Sequence, residues 1–581
     1  MEKKSFVKGA AILGVAGLLT QVLGAVFRIP LGNIIGDEGM GYYQTAYPIY
    51  VFLLVFSTNG APAAISKMAS ERIAIGRADE AHRVFKLSFL LMFVMGILAS
   101  GIFFFGAGPI VGALKNPGAR LAMEAIAPAL LFVPIMAVFR GYFQGMQEML
   151  PTAVSQLTEQ TVRVAIGLAL AVALAAKGLE QAAAGATAGT SIGPVAGVLI
   201  LIVIYMKKRK KIHGMWEGGA GALTGSQAAD AGVADAATGA GADAATGVAG
   251  AGAAKAGQAE GPAAEAGHSG HREPAGSILK TLAYIAIPIT IGVSILPIMN
   301  IGDVVIVMRR LQSVGFSEDM ANALYGQMTG MAGPVINIPM ALALSMALSM
   351  VPAIAAAAST GDTEFLKLNV RLGLRTSTII GVPCSLGLMA LSEPIMRLLY
   401  PMQAESAVNA ASCLFLLAIG IVFLCVAQTM AGTLQGLNRP GIAVWGLAAG
   451  FAVKCVSTYV LCGIPSLNVE GAAIGSTLGY ITIGLVNFAA VRKMTGITFD
   501  MKLSVGRPMA AGLVMFAGVW LSYRGLAQVV GGSLATVGAI AVGGMLYLVC
   551  LIKFGAVAES EIHMFPKGQA LAKLFKKLHL M

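Results

Sequence analysis

The sequence predicts an all-α integral membrane protein of about 14 transmembrane helices, arranged as two parallel six-helix repeats plus a terminal helix pair. Three observations support this. Only 12% of the 581 residues are charged, whereas soluble domains average about 25%. Apolar runs of about 20 residues, long enough to cross a hydrocarbon core of about 30 Å, recur along the whole chain. Short motifs from the first half of the chain recur in the second half in the same order.

The apolar runs predict the positions of the individual spans. The first run could mimic a secretory signal peptide, but it is too long and no small-residue cleavage site follows it, so we interpret it as a retained span. The run at 327–357 is long enough to be tilted or broken. The predicted spans lie near 7–27, 43–65, 86–106, 121–139, 153–176, 186–206, 278–300, 327–357, 371–392, 406–434, 441–462, 470–490, 508–527 and 533–552.

The distribution of basic residues predicts the orientation of the chain. With the N-terminus in the cytoplasm, 30 of the 40 Lys and Arg residues fall in cytoplasmic segments and 8 in outer segments. Such an excess is typical of cytoplasmic loops, so both termini are predicted to be cytoplasmic. The net charge of +12 therefore reflects membrane topology, and we expect no nucleic-acid partner.

The chain is predicted to have five parts, separated by a change in composition after the basic run at 207–211. The middle part is rich in Ala and Gly and has too few large apolar residues to fold. The parts are an N-terminal six-helix lobe (1–211), a disordered Ala/Gly-rich cytoplasmic linker (212–276), a C-terminal six-helix lobe (277–506), a terminal helix pair (507–555) and a basic cytoplasmic tail (556–581).

Three pairs of motifs indicate an internal duplication. The glycine-rich stretch 185–193 matches 471–479, Gly141-Tyr-Phe-Gln-Gly matches Gly432-Thr-Leu-Gln-Gly, and Pro62-Ala-Ala-Ile matches Pro352-Ala-Ile-Ala. The offsets are 286, 291 and 290 residues. Six spans in each repeat return the chain to its starting side, so the repeats are parallel, a layout found in secondary transporters. The first glycine stretch contains a formal G-x-S-x-G, but its four-residue glycine spacing favours close helix packing over a hydrolase nucleophile.

One predicted span opens with a polar face that is unusual in so apolar a chain. Residues 140–150 are predicted to be a short cytoplasmic connection, which starts at Arg140, and Pro151 suits the first turn of the next helix. Gln156, Glu159, Gln160 and Arg163 then follow at i, i+3, i+4 and i+7, on one face of the helix. A charge at the bilayer centre costs about 2.5–3.5 kcal/mol, so this face should meet a water-filled cavity or polar partners. A simple Glu159–Arg163 pair at i, i+4 remains open as a purely structural explanation.

The second half supplies a cation at a comparable position. Lys454 lies 14 residues after Pro440, and Arg163 lies 12 residues after Pro151. A cavity lined by two such cations suits an anionic, phosphate-bearing substrate better than a cationic drug. Other polar residues in the predicted spans are weaker candidates, since each could serve helix packing: Gln21, Arg28, Asn59, Glu124, Asn300, Asp303 and Asn337.

No motif for an energy-coupling or catalytic centre is visible. The sequence lacks a Gly-Lys dipeptide and hence a Walker A loop, and it lacks H-E-x-x-H and D-x-D. We therefore expect no catalytic residues, no metal site and no cofactor, and transport coupled to an ion gradient or to the membrane potential. An anion moved outward gains about 2.3 kcal/mol per charge per 100 mV.

Residues 6–44, 60–70 and 133–164 resemble the polysaccharide-biosynthesis branch of the multidrug/oligosaccharidyl-lipid/polysaccharide exporter superfamily. Within it they are most similar to the stage V sporulation protein B and MurJ-like flippases. The stretch from "RGYFQG" to "EQTVRV" is the most specific part. The resemblance implies alternating access around a cationic cavity, an undecaprenyl-pyrophosphate-linked sugar such as lipid II as cargo, and a groove for the lipid tail at spans 508–527 and 533–552. It implies binding roles for Arg28 and Arg163.

The sequence thus favours a flippase of the bacterial plasma membrane that serves cell-wall or spore-cortex synthesis. Its expected partners are the anionic lipid-linked oligosaccharide, membrane lipids, a coupling ion and cell-wall synthesis enzymes. Three alternatives stay open: a drug/cation antiporter of the same superfamily, a membrane-embedded glycosyltransferase or ligase, and a scaffold for wall-synthesis enzymes. The candidate substrate-binding residues are Arg28, Arg140, Gln156, Glu159, Gln160, Arg163 and Lys454.

Overall fold

The computed structural model describes residues 2–217 and 273–556, and all regular secondary structure in these ranges is helical. Helices satisfy their backbone hydrogen bonds internally, as lipid requires. Ten of the described helices are long and apolar enough to cross a membrane, or eleven if the bent pair Ala404–Ile419 and Ile421–Gly436 is one span. The predicted all-α membrane fold is confirmed, whereas the count of 14 spans stays a prediction.

The described chain divides into two compact units, of which the first comprises Met1–Arg309 and Ser317–Gly326. Its longest helix is kinked at Gly36, where φ is 68°, a conformation that glycine adopts without steric cost. The first predicted span and the first part of the second therefore lie on either side of this kink, and the second span continues through Phe56–Gly60 into the helix Ala61–Ala74. The helices of this unit are α1 (Glu2–Val55), α2 (Ala61–Ala74), α3 (Ala78–Ala113), α4 (Arg120–Ile126), α5 (Ala129–Gly145), α6 (Leu150–Ala175), α7 (Leu179–Glu217), α8 (Ala275–Ser313, as far as Arg309) and α9 (Glu318–Gly326).

The second unit comprises Arg310–Phe316 and Gln327–Met581. A π-helical turn, Gln327–Ala332, precedes its first long helix, so the segment predicted to be tilted or broken does contain a helical irregularity. The helices of this unit are α10 (Gly333–Thr360), α11 (Thr363–Ala390), α12 (Ser392–Leu399), α13 (Ala404–Ile419), α14 (Ile421–Gly436), α15 (Pro440–Leu461), α16 (Glu470–Thr495), α17 (Arg507–Val530) and α18 (Gly532–Lys553).

Two of the predicted parts fall largely outside the described residues. Helix α7 continues to Glu217, and residues 218–272, most of the predicted linker, lie outside. Residues 557–581 of the predicted basic tail lie outside as well. The predicted lobe boundaries stay a prediction, although α8 as far as Arg309 packs with the first unit.

Candidate functional site

The polar face of α6 begins between one and two turns after the helix starts. Helix α5 extends to Gly145 and α6 begins at Leu150, with Pro151 in its first turn. The connection therefore consists of residues 146–149 only. The predicted connection from Arg140 to Leu150 is wrong, because Arg140 lies inside α5. The apolar pattern of α5 continues through Phe143, which is buried, and this burial extends the helix past the charged residue.

Arg140 joins α5 to the polar face of α6. Its Nη2 lies 2.8 Å from Glu159 Oε2, and its Nε donates to Ser155 Oγ at 2.9 Å. The side chains of Arg140 and Glu159 are only 12% and 18% exposed. Charge-assisted hydrogen bonds of this kind are short and about twice as strong as neutral ones. The pair fixes one carboxylate and one guanidinium at the start of the polar face.

Arg28 and Arg163 meet at the ring of Tyr47. The guanidinium carbons lie 5.5 Å and 5.4 Å from the ring centroid, and Arg163 Nη2 lies 3.3 Å from the Tyr47 hydroxyl oxygen. Both arginines are 8% exposed. Attraction to the aromatic face offsets part of the cost of desolvating each cation. The tyrosine holds two like charges together, which an anion would stabilise further.

Two amide groups on the same helix face have unsatisfied buried atoms. Gln156 Oε1 and Gln160 Nε2 are buried and have no hydrogen-bond partner among the described residues. A buried polar atom left without a partner costs about 1–3 kcal/mol. Such atoms in a native structure call for an explanation, and a bound polar ligand supplies one.

The glycine face of α7 allows the backbone of α6 to lie close to α7 at the level of Arg163. A methyl group built on Gly193 would lie 3.0 Å from Arg163 Cβ, and one on Gly189 would lie 2.5 Å from Gly167 Cα. Only glycine permits these contacts, as the four-residue glycine spacing predicts. The backbone of α6 is thereby clamped at the level of Arg163.

Lys454 occupies the corresponding position in the second unit. It is 8% exposed, and a methyl group built on Gly479 would lie 3.1 Å from its Cβ. Gly475 approaches Thr458, just as Gly189 approaches Gly167. The helix pair α15 and α16 therefore repeats the packing of α6 and α7, at the sequence offsets expected from the glycine motif.

One of the three predicted motif matches has the wrong register. Methyl groups built on Gly141 and Gly432 would meet the carbonyl oxygens of Pro62 and Ala347, at 2.8 Å and 2.6 Å. Pro62 thus corresponds to Ala347, and Pro352 lies five residues farther along. Proline marks the same helix in both units but at different depths, so a short proline motif cannot define the alignment.

The first unit brings together Arg28, Arg140, Gln156, Glu159, Gln160 and Arg163 through α1, α5 and α6. Lys454 belongs to the second unit, and its participation in a shared cavity stays a prediction, as does a Glu159–Arg163 pair.

The sequence did not indicate Tyr47 as a site residue, although Tyr43, Tyr47 and Tyr50 share a helical face. Among the weaker candidates, Glu124 pairs with exposed Arg120 at 2.7 Å, which is a structural role.

The cluster favours anions. Arg28, Arg140, Arg163 and Glu159 carry a formal charge of +2 together, and all four are at least partly buried. Guanidinium groups match phosphate oxygens in pairs, and primary amides bond to hydroxyl groups. The arrangement is therefore suited to binding a phosphate ester that also carries hydroxyls.

Two family models match the chain. The model described as polysaccharide biosynthesis protein matches residues 6–216. The model described as lipid II flippase MurJ matches residues 331–556. The two matches lie on either side of the predicted linker and together include every candidate site residue.

Three proteins of Bacillus subtilis are similar over nearly the whole chain. The membrane protein YabM is 26% identical, with 98% of this chain and 96% of YabM covered. Stage V sporulation protein B is 25% identical, with 97% and 98% covered. Lipid II flippase MurJ is 26% identical, with 94% and 95% covered.

Solved structures share the fold. Lipid II flippase MurJ in an inward closed conformation aligns with a TM-score of 0.62 and 15% identity over 93% of this chain and 98% of that one. An inward-facing multidrug transporter of the same superfamily aligns with a TM-score of 0.63 and 12% identity over 84% and 98%. The chain is therefore a multi-pass membrane protein that is similar over nearly its whole length to polysaccharide-biosynthesis and MurJ-like proteins and that shares their fold.

Proposed function

We propose that this protein is a flippase that exports an undecaprenyl-pyrophosphate-linked sugar precursor, lipid II or a related polysaccharide precursor, across the bacterial plasma membrane by alternating access. The product would supply cell-wall or spore-cortex synthesis. The observation that carries the proposal is the pair Arg28 and Arg163, both buried against Tyr47. A pyrophosphate offers several oxygens to guanidinium groups and relieves the repulsion between them.

The neighbouring groups fit the rest of such a headgroup. The buried atoms Gln156 Oε1 and Gln160 Nε2 would accept from and donate to sugar hydroxyls. The Arg140–Glu159 pair gives the site a way to exchange partners, because an incoming diphosphate competes with the carboxylate for Arg140. Lys454 is retained as a predicted binding residue of the second unit.

The distribution of basic residues supports N- and C-termini in the cytoplasm. In that orientation the headgroup enters from the cytoplasmic side and leaves outside, while the lipid tail remains in the bilayer. Outward movement of an anion is favoured by a negative interior by about 2.3 kcal/mol per charge per 100 mV. The membrane potential can therefore drive export directly. An ion gradient is the other energy source expected from the sequence, which lacks a Walker A loop.

The alternative within the superfamily is a drug/cation antiporter. The structural similarity to a multidrug transporter at 12% identity concerns the fold alone. Three guanidinium groups beside one carboxylate disfavour a cationic substrate, because like charges repel in a poorly hydrated site. Efflux of a cationic dye, together with no lipid translocation, would identify the antiporter.

The test is translocation of fluorescent lipid II in proteoliposomes containing the full chain or Arg163→Gln. We expect wild-type translocation and its loss in Arg163→Gln, since the amide keeps the approximate shape but not the charge. Arg397→Gln is the matched control, because Arg397 is exposed and pairs with Glu393 on its own helix. Equal translocation by all three proteins would refute the site, and no translocation by the wild type would refute the substrate.

A complementation experiment tests the same prediction in cells. Expression in a strain depleted of its lipid II flippases should restore growth with the wild-type chain and with Arg397→Gln, but not with Arg163→Gln. Growth restored by Arg163→Gln would instead favour a scaffold role for wall-synthesis enzymes, in which the cluster is not needed.

A further inference from the structure

A second cationic pocket lies in the second unit, where α11 meets the segment that leads into α17. Its volume is about 500 Å³. The residues that line it are Leu368, Arg371, Leu372, Arg375, Thr498, Phe499, Asp500, Leu503 and Ser504. No predicted binding residue is among them, so this pocket is distinct from the Arg28–Arg163 cluster.

The two arginines of the pocket lie one turn apart on α11 and differ in their engagement. Arg375 is buried, and its Nε donates to the carbonyl oxygen of Ala556 at 2.7 Å. Together with Arg507, which donates to Gly555 O at 2.6 Å, it caps the C-terminal end of α18, where cations are favoured. A structural role therefore explains Arg375 and Arg507.

That structural role does not extend to Arg371. Its Nε donates to Thr498 O at 3.2 Å, and the described residues provide no partner for its Nη1 and Nη2. The carboxylate of Asp500 accepts from Leu503 N at 3.0 Å and so holds the turn before α17. Arg371 thus presents two charged donors to a pocket whose other walls include Leu368, Leu372 and Phe499.

The position along α11 indicates where the pocket lies relative to the bilayer. The sequence from Thr376 to Ala390 contains no charged residue, whereas Lys367, Arg371 and Arg375 precede it. Arginines at the polar end of an apolar span lie at the level of the lipid headgroups. A pocket at that level with cationic and apolar walls suits a ligand with a phosphate and an attached glycerol and acyl chain.

We propose that Arg371 binds the phosphate of a membrane phospholipid headgroup in this pocket, with Leu368 and Phe499 against the start of the acyl chains. The bound lipid ties α11 to the entry of the terminal helix pair. The site holds a resident lipid and is separate from the proposed cargo site in the first unit.

The test is native mass spectrometry of the purified full chain with added phosphatidylglycerol or phosphatidylcholine. We expect the wild type to retain phosphatidylglycerol, and Arg371→Gln to retain it about tenfold less, the effect of one lost charge-assisted hydrogen bond. Lys367→Gln is the matched control, because Lys367 lies one turn earlier, does not line the pocket and pairs with exposed Glu364. Arg163→Gln should retain the lipid fully, which separates this site from the proposed cargo site.

Three results would overturn the proposal. Equal retention by Arg371→Gln and Lys367→Gln would mean that no specific site exists. Displacement of the lipid by millimolar inorganic phosphate or glycerol 3-phosphate would assign the pocket to a soluble anion. A loss of the helical circular dichroism signal in Arg371→Gln, together with no recovery of retention in Arg371→Lys, would mean that Arg371→Gln acts through folding.

Discussion

The helix pairs α6–α7 and α15–α16 have the same backbone packing but different charges. In both, glycines on the second helix press against the first at the level of a buried cation, Arg163 or Lys454. Around Arg163 the first unit adds a carboxylate, two further arginines and a tyrosine. At the positions that match Arg140, Ser155 and Glu159 the second unit has Ala431, Gly446 and Gly450.

The two units therefore share the glycine scaffold and not the binding groups. Glycine contacts set the distance between two helices and tolerate no added atoms, so they persist in both units. Charged groups inside a membrane are costly and remain only where they have a function. The α6–α7 pair is therefore the chemically specialised one, with three arginines and a carboxylate nearby, whereas the α15–α16 pair has Lys454 at the matched position.

The largest expected effect comes from removing the carboxylate of Glu159, whose matched position in the second unit is Gly450. Glu159→Gln leaves Arg140 without its ion-pair partner in a site that is 12% exposed. We expect a loss of about 2–3 kcal/mol in the free energy of unfolding, somewhat below the range for fully buried pairs. Thermal melting of the purified protein in detergent measures it.

The control is the double variant Arg140→Gln/Glu159→Gln, which approaches the neutral pattern of the second unit. It should recover part of the lost stability, since neither charge is then left alone. If the two single losses simply add in the double variant, the ion pair makes no net contribution and the contrast between the units is not electrostatic.

A smaller effect is expected from adding a methyl group at the matched glycines. In Gly189→Ala the methyl group meets the Gly167 backbone at 2.5 Å, whereas in Gly475→Ala it meets the Thr458 hydroxyl at 2.4 Å. The nearest neighbours of the added methyl group at Gly189 are all backbone atoms within 2.7 Å, whereas at Gly475 the nearest backbone atom, Thr458 N, lies 3.0 Å away and the Thr458 hydroxyl can move by a change of rotamer. Overpacking typically costs about 1–3 kcal/mol, and we expect Gly189→Ala at the upper end and Gly475→Ala at the lower end.

Melting temperatures of the two alanine variants give the comparison directly. Because each variant adds the same single atom to an equivalent contact, each is the other's control. A larger loss in Gly475→Ala than in Gly189→Ala would contradict the packing argument.

The sequence predicted those features that depend on local pattern. Apolar runs defined the helices, and the i, i+3, i+4, i+7 spacing placed Gln156, Glu159, Gln160 and Arg163 on one face. The glycine motif predicted the close packing of α6 on α7 and its counterpart in the second unit. Each of these inferences needs only the helical repeat.

The sequence could not predict contacts between distant segments. Glu159 bonds to Arg140 on another helix, and no spacing rule selects that partner over its neighbour on α6. Tyr47 lies 116 residues from Arg163, and tyrosines at helical spacing usually belong to a core. The Pro62 and Pro352 match failed because packing follows the glycines and not the prolines.

The smallest expected effect comes from exchanging the type of cation at Lys454 and Arg163. This exchange tests most directly whether the two units differ in their binding chemistry. Lys454→Arg keeps the charge and the first three side-chain carbons, including the Cβ and Cδ that face Gly479 at 3.1 Å and 3.8 Å. We expect stability to change by less than about 0.5 kcal/mol, since no packing or charge is lost. Arg163→Lys should be worse in lipid translocation, because an ammonium group cannot stack on Tyr47 or bond bidentately to phosphate. Equal translocation by the two variants would mean that both units need only a positive charge, and the specialisation of the first unit would lie in Arg140 and Glu159 instead.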